Sequence, residues 1–296
     1  MGRQYENLLS KCLKAVLLFV QVRVLLVCLC TSNVVAEAGD RPAEINRMSS
    51  PFVGVFAFGD SVLDTGNNND LPTVARCNFP PYGRDFIGGI PTGRFSNGKV
   101  YSDIIVEALG IKHLLPAYLD PNLHSEDLPT GVCFASGNSG YDPLTPSLVD
   151  LYSLGARRIA IISAFPLGCA PLERNGGGLL GECLELQNQR AKMFNSLLSS
   201  ELDTINRDFP DAKLVFLDVY HPFLELNQHP ENSGFEVLKI GCCGTGTFEV
   251  TSFLCNPWNP FTCSNASNYV YWDAIHPSER AQRIVASQTL KLITST

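Results

Sequence analysis

Apolar residues in this chain fall into short continuous runs and into longer stretches with helical spacing. The first run after residue 50, FVGVFAFGD, is nearly continuous, as in strands that are covered on both faces of a sheet. Four segments of this short apolar kind lie at 52–60, 131–137, 157–165 and 213–220. We interpret these segments as strands.

Helical spacing marks the stretches between these runs. Apolar side chains recur every three or four residues at 100–109, 148–154 and 184–205. Gly110, Gly155 and Pro210 are predicted to end these helices, and a last helix is expected after Pro277. Alternating strands and helices predict an α/β fold, a three-layer helix-sheet-helix sandwich whose active site lies at the carboxyl ends of parallel strands. No internal repeat or linker divides residues 51–296, so we predict one domain there.

Residues 1–38 differ from the rest of the chain. Basic residues precede two apolar runs, AVLLFV and VLLVCLC, and the small residues Ala36 and Ala38 follow. This pattern predicts a secretory signal peptide that is removed, followed by a polar spacer at 39–50. A retained membrane anchor is the alternative, but Arg23 interrupts the apolar run, and arginine at the centre of a span is costly. We therefore expect a secreted protein with no membrane span after cleavage.

Composition and charge limit the kinds of molecule that the protein is expected to bind. The chain has 296 residues, of which 45% are hydrophobic and 17% charged, as in ordinary globular proteins. Residues 1–38 hold four basic and two acidic residues, so removing this net +2 changes the formal charge from −7 to −9. An acidic chain lacks the basic footprint of nucleic-acid binding, so no nucleic-acid partner is expected.

Eight of the 11 cysteines lie beyond residue 38, and an even number in an exported chain predicts disulfides. Cys169 and Cys183 flank a glycine-rich loop, which suggests a local bridge. Four more cysteines fall within 22 residues, at 242, 243, 255 and 263. A metal site is the alternative there, but no C-x-x-C pair is present, so we expect no metal. Asn265 begins an Asn-Ala-Ser glycosylation sequon, which also fits export.

Ser61 follows the first predicted strand directly, where an active site is expected. A serine hydroxyl is a weak nucleophile unless a base lies within hydrogen-bond reach and a third group orients that base. Among five histidines, we single out His276, because Asp273 lies three residues before it and Pro277 follows. The alternatives are that Ser61 only forms a turn, and that Asp273 and His276 only cap the last helix.

These two segments match a known family in order. Gly59-Asp60-Ser61-x-x-Asp64-x-Gly66, together with Asp273-x-x-His276-Pro277, closely resembles the plant secreted GDSL esterase/lipases of the SGNH hydrolase superfamily. Further family-like segments between them are FPPYGRDF, GRFSNGKV, GVCFASGNSGYDPLTP, LGARRIAI, PLGCAP, GCCGTG and CNP. The likeness runs from about Phe52 to Leu292 and implies a parallel, flavodoxin-like sheet.

The resemblance also implies roles. It makes Ser61 the nucleophile, His276 the general base and acid, and Asp273 its orienting partner, in acyl transfer from an ester or lipid through an acyl-enzyme. The backbone N–H groups of Ser61 and Gly137 correspond to two donors of the family's oxyanion hole. No cofactor is implied, because this serine mechanism needs none.

One family block is missing. A Gly-x-Asn-Asp block, whose asparagine is the third oxyanion donor, should lie near Pro146 and Ser147, where family members carry several tens of additional residues. The same block belongs to a central strand, so the sheet is expected to lack that strand. In addition, Asn138 stands where the family often has glycine, and Cys133 is expected to be unpaired. The alternative function is therefore a catalytically impaired truncated form, or an extracellular non-catalytic binding protein.

Overall fold

The computed structural model describes residues 52–139, 155–177, 181–251 and 254–295, together with the backbone of residues 25–30. Strands in these residues are β1 (Leu25–Cys30), β2 (Gly54–Phe58), β3 (Arg158–Ile162), β4 (Lys213–Leu217), β5 (Val237–Gly241) and β6 (Tyr269–Tyr271). The α-helices are α1 (Tyr101–Ala108), α2 (Pro171–Gly177), α3 (Glu185–Asp208), α4 (Tyr220–Gln228) and α5 (Glu279–Thr294).

The main sheet has four strands in the order β2-β1-β3-β4. β3 and β4 are parallel, as predicted, whereas β1 runs antiparallel to both β2 and β3. The strand β1, which was not predicted, is therefore an exception to the expected parallel sheet. The gap expected between β2 and β3 is filled, because the β1 backbone supplies the N–H and C=O partners that two separated strands would lack. β1 falls within the predicted signal peptide, whose removal remains a prediction.

Helices cover both faces of this sheet. Val55 of β2 and Ala160 of β3 lie in a buried cluster with residues of α1, α4 and α5. The alternate residues of β3, Ile159 and Ile161, lie in a second cluster with Leu202 of α3. Side chains alternate between the two faces of a strand, so one short apolar run contributes to both cores. The predicted α/β helix-sheet-helix architecture is confirmed.

The predicted helices from Val100 and from Leu184 are confirmed as α1 and α3, and the helix after Pro277 is confirmed as α5. The helix predicted before Gly155 lies outside the described residues. Residues 131–137 do not form a regular strand, but Cys133 makes isolated parallel bridges to Ala57 and Ala117. Among the helices described, none combines the length and apolar character that crossing a membrane requires.

β5 and β6 form a separate parallel pair, which two disulfides fasten. Cys242 joins Cys263 and Cys243 joins Cys255, tying the end of β5 to the loop that precedes β6. The predicted bridge from Cys169 to Cys183 is also present. The expectation that the cysteines after residue 38 form disulfides holds for six of the eight, and Cys77 and Cys133 remain free and buried.

The two free thiols should be chemically silent in the folded protein. Burial raises the pKa of Cys133 to about 12 and that of Cys77 well above its ordinary value, so little reactive thiolate forms. We expect iodoacetamide to leave both unmodified in native buffer and to alkylate both in urea without reductant, as measured by peptide mass spectrometry. The six bridged cysteines serve as the internal control. Alkylation of Cys133 in the native protein would contradict this arrangement.

Candidate active site

Ser61 lies in a tight turn at the carboxyl end of β2. The Asp60 carbonyl accepts the N–H groups of Leu63 and Asp64, and the Asp60 carboxylate accepts the Val62 N–H at 3.0 Å. Ser61 lies three residues after Phe58, the last residue of β2. The Ser61 residue is only 4% exposed.

Asp273 and His276 lie in a second tight turn, directly after β6. The Asp273 Oδ1 atom accepts the backbone N–H groups of Ile275 at 2.8 Å and of His276 at 2.7 Å, so the carboxylate folds its own turn. Position 241 must be glycine here, because a Cβ there would lie 2.4 Å from the Asp273 carbonyl oxygen. Asp273 and His276 do not cap the last helix, because the N-cap residue of α5 is Ser278.

The two turns bring three side chains into one hydrogen-bonded line. His276 Nε2 lies 2.9 Å from Ser61 Oγ, across 215 residues of sequence. His276 Nδ1 lies 2.8 Å from Asp273 Oδ2. All three residues are buried, with Asp273 fully so. A serine, an imidazole and a carboxylate in this order are the parts that nucleophilic acyl transfer requires.

Spacing from an aspartate does not by itself single out His276, because the chain holds a second Asp-x-x-His-Pro segment, Asp218 to Pro222. Its pair forms too, with His221 Nδ1 2.5 Å from Asp218 Oδ2. The His221 side chain is 75% exposed, however, and its ring has no hydrogen bond to a serine among the described residues. Burial and the Ser61 contact, which spacing does not encode, separate His276 from His221.

Phe95 packs against the imidazole from the side. Its ring centroid lies 5.1 Å from that of His276. A Cβ at position 137 would approach Phe95 Cζ to 2.4 Å, so Gly137 leaves the space that the aromatic ring occupies. The segment around Gly137 is thereby held next to the triad.

The backbone N–H groups of Ser61 and of Asn138 make no hydrogen bond to an acceptor within the described part of the chain. The predicted oxyanion donor Gly137 differs, because its N–H donates to Asp64 Oδ2 at 2.7 Å. Burial raises the pKa of Asp64, although hydrogen bonds from Gly66, Gly137 and Asn67 oppose the rise. Asn138 has φ = 67°, a left-handed conformation that asparagine tolerates better than most residues.

Neighbouring asparagines do not replace the missing family asparagine. The Asn67 amide donates to the carbonyls of Cys133 and Ala135, at 2.8 and 2.7 Å. The Asn68 amide donates to the carbonyls of Ala75 and Gly137. Both amides therefore fasten the loop after Ser61 to the 133–137 segment.

Tyr82 belongs to the site, although no motif in the sequence assigned it a role. Its hydroxyl donates to Asp273 Oδ2 at 2.7 Å, and it accepts the Thr251 backbone N–H at 2.9 Å. The only sequence trace of this residue is the family-like segment FPPYGRDF. Tyr82 and Asp273 lie 191 residues apart, so no short segment of the sequence indicates that they form a hydrogen bond.

The remaining predicted residues lie apart from the triad. Asn265 is exposed beside the disulfide-bonded loop, where its side chain accepts the Ser267 N–H, and its glycosylation remains a prediction. Within the described ranges, no cluster of histidine, cysteine or acidic side chains has an arrangement that would hold a metal ion.

Comparison with known proteins identifies the family of the chain. Residues 139–289, which include Asp273 and His276, match the family model described as GDSL-like Lipase/Acylhydrolase. The GDSL esterase/lipase At5g42170 of Arabidopsis thaliana is 40% identical, over 80% of this chain and 85% of the relative. The chain belongs to the GDSL-like lipase/acylhydrolase family. The family match confirms the expected enzyme class, a carboxylic ester hydrolase.

Two further GDSL esterase/lipases of Arabidopsis thaliana are similar over comparable lengths. At3g14820 is 41% identical over 82% of this chain and 91% of its own length, and EXL3 is 38% identical over 79% and 85%. The comparison with At5g42170 spans 313 positions, whereas 80% of 296 residues is about 237, so about 76 positions have no counterpart in this GDSL protein. That excess agrees with the several tens of residues expected near Pro146.

Proposed function

We propose that this GDSL protein is a secreted serine esterase that hydrolyses acyl esters through Ser61, His276 and Asp273. The observation that carries the proposal is the continuous contact from Ser61 Oγ to His276 Nε2 at 2.9 Å and from His276 Nδ1 to Asp273 Oδ2 at 2.8 Å. Secretion is supported by the predicted signal peptide and by three disulfides, which are typical of oxidising compartments.

The proposed reaction has two halves that use the same groups. Ser61 Oγ attacks the ester carbonyl carbon while His276 Nε2 takes its proton, and the imidazolium then gives that proton to the departing alkoxide. Water attacks the resulting acyl-Ser61 with the same imidazole as base, and the carboxylic acid leaves. Asp273 keeps Nδ1 protonated and stabilises the imidazolium, because it accepts the Nδ1–H bond in a buried place.

Negative charge that develops on the carbonyl oxygen needs donors. The Ser61 N–H is the first donor in this proposal, and the Gly137–Asn138 turn supplies the second. The Asn138 N–H is available without breaking a bond, whereas that of Gly137 would have to leave Asp64. Loss of one oxyanion donor typically lowers kcat by about 10² to 10³. Without the family asparagine, we therefore expect slow turnover.

An apolar recess beside the nucleophile suits the acyl chain of an ester. Val62, which follows Ser61 directly, lines this recess together with Phe165, Val219 and Phe223. Val62, Phe165 and Val219 follow the ends of β2, β3 and β4, where an open α/β sheet places its ligand, and Phe223 lies in α4. An apolar lining favours an acyl group over a charged one.

The missing asparagine favours one rival, a non-catalytic extracellular protein. Covalent labelling distinguishes the two without requiring many turnovers. We expect a fluorophosphonate probe to label the purified protein once, at Ser61, and not to label Ser61→Ala. Ser287→Ala, which removes an exposed hydroxyl on α5, is the matched control and should label fully. Release of p-nitrophenol from p-nitrophenyl butyrate provides the turnover measurement. A folded protein that resists the probe would support the non-catalytic rival.

A further inference from the structure

The hydroxyl of Tyr82 is fixed in direction by two partners. Its oxygen accepts the Thr251 backbone N–H at 2.9 Å, which leaves the hydroxyl hydrogen for Asp273 Oδ2, 2.7 Å away. The tyrosine is fully buried. The rings of Phe79 and Trp272 pack edge-on against it, at centroid distances of 5.7 and 5.9 Å. The hydroxyl therefore has little freedom to turn away from the carboxylate.

This bond completes the hydrogen-bonded shell of Asp273. Oδ1 accepts the N–H groups of Ile275 and His276, and Oδ2 accepts His276 Nδ1–H and the Tyr82 hydroxyl. A carboxylate has about four acceptor sites, so all of them are used. Tyr82 and the His276 ring share one oxygen atom, and a change in either bond alters the other.

The surroundings keep Tyr82 a donor. Burial, with the Asp273 charge as a further cause, raises the pKa of Tyr82 well above its ordinary value, so the hydroxyl keeps its proton at neutral pH. Cys77 is the other titratable group at this hydroxyl, and its thiol is itself held protonated by burial. The Arg84 guanidinium lies 5.0 Å from the centroid of the Trp272 ring, and the Asp64 charge also raises the pKa of Cys77.

We infer that Tyr82 is a positioning residue of the reaction, which orients the Asp273 carboxylate and tempers its basicity toward His276. The inference rests on the proposed function, in which Asp273 supports the catalytic imidazole. The Tyr82 bond draws negative charge away from Oδ2. Without it, the carboxylate attracts the imidazolium more strongly, and the protonated, inactive form of His276 persists to higher pH.

The test compares two buried tyrosines. Tyr82→Phe removes the hydroxyl bonded to Asp273, whereas Tyr271→Phe removes one that bonds Asn227 and does not touch the triad. For Tyr82→Phe we expect kcat to fall by about 10- to 100-fold, because a displaced Asp273 carboxylate no longer holds the imidazole in its productive orientation. KM should stay near that of the parent protein. The acid limb of the kcat/KM profile should move to higher pH, and Tyr271→Phe should leave that limb in place.

A second substitution guards against simple misfolding. 3-Fluorotyrosine at position 82, introduced by codon suppression, makes a more acidic and stronger donor of nearly the same size. It should move the acid limb to lower pH, opposite to Tyr82→Phe. A loss of stability alone produces no such opposed pair of shifts. Acid limbs that coincide in all three proteins would overturn the inference.

A measurement without turnover separates this inference from the proposed function. The proton between His276 Nδ1 and Asp273 gives a downfield proton NMR signal, which the Tyr82→Phe change should move further downfield. If the parent protein hydrolyses no ester yet this signal moves, the proposed function fails while the Tyr82 bond is upheld. An unmoved signal would overturn the inference even in an active enzyme.

Discussion

Alanine replacements at Ser61 and His276, made singly and together, are expected to give three proteins with the same residual esterase rate. The two side chains share one proton across 2.9 Å, so removing either disables the same step. In serine hydrolases such a loss lowers kcat by about 10⁴ to 10⁶, and a second loss within the triad adds little. The measurement is kcat for p-nitrophenyl butyrate in each single variant and in the double variant.

The chain offers a matched control for this experiment. His221 also lies three residues after an aspartate and before a proline, and it also bonds that aspartate, but it is exposed and no serine of the described ranges bonds its ring. His221→Ala should therefore retain the parent rate. A double variant far slower than either single variant would mean that Ser61 and His276 act independently, which contradicts the proposed mechanism.

Loss of the buried Arg94 guanidinium should destabilise the protein by about 3 to 5 kcal/mol, because it leaves the Asp103 carboxylate buried without its cation. The pair is bidentate, at 2.6 and 2.8 Å, and the arginine also donates to the carbonyls of Thr65 and Leu115. Asp103 is fully buried and accepts the Val100 N–H at the start of α1. Arg94→Met, followed by urea unfolding, measures the change in unfolding free energy.

An exposed pair provides the comparison. Arg157 and Asp211 lie 3.1 Å apart with side chains 42% and 58% exposed, and Arg157→Met should cost less than about 1 kcal/mol. The double variant Arg94→Met/Asp103→Leu should recover part of the loss, since it removes the unpaired charge along with its partner. Equal stability of Arg94→Met and the parent protein would rule out a structural role for the buried pair.

Local pattern predicted the parts of this GDSL protein that depend on neighbouring residues. The stripe from Leu184 to Ile205 predicted α3, because a helix repeats its buried face every 3.6 residues. The glycine-rich loop between Cys169 and Cys183 indicated a short-range bridge. Placing Ser61 at a strand end and Asp273 one tight turn from His276 likewise needed only short segments, and the family resemblance joined them.

Features that depend on distant pairing were missed or misjudged. Six apolar residues at 25–30 have the same composition whether they serve as an export signal or as a strand, so periodicity did not predict β1. Spacing likewise did not determine that the bridge 243–255 lies nested inside the bridge 242–263. Tyr82 was missed because its partner lies 191 residues away.

The position of β1 bears on whether the predicted signal peptide can be removed from the folded protein. Among the described residues, β2 joins β3 in the sheet only through the backbone of Leu25–Cys30, which lies upstream of the expected cleavage point. The same six residues therefore cannot both be removed with a signal peptide and remain in the sheet as β1. If β1 is removed, the N–H and C=O groups of β2 and β3 that pair with it in this structure lose those partners.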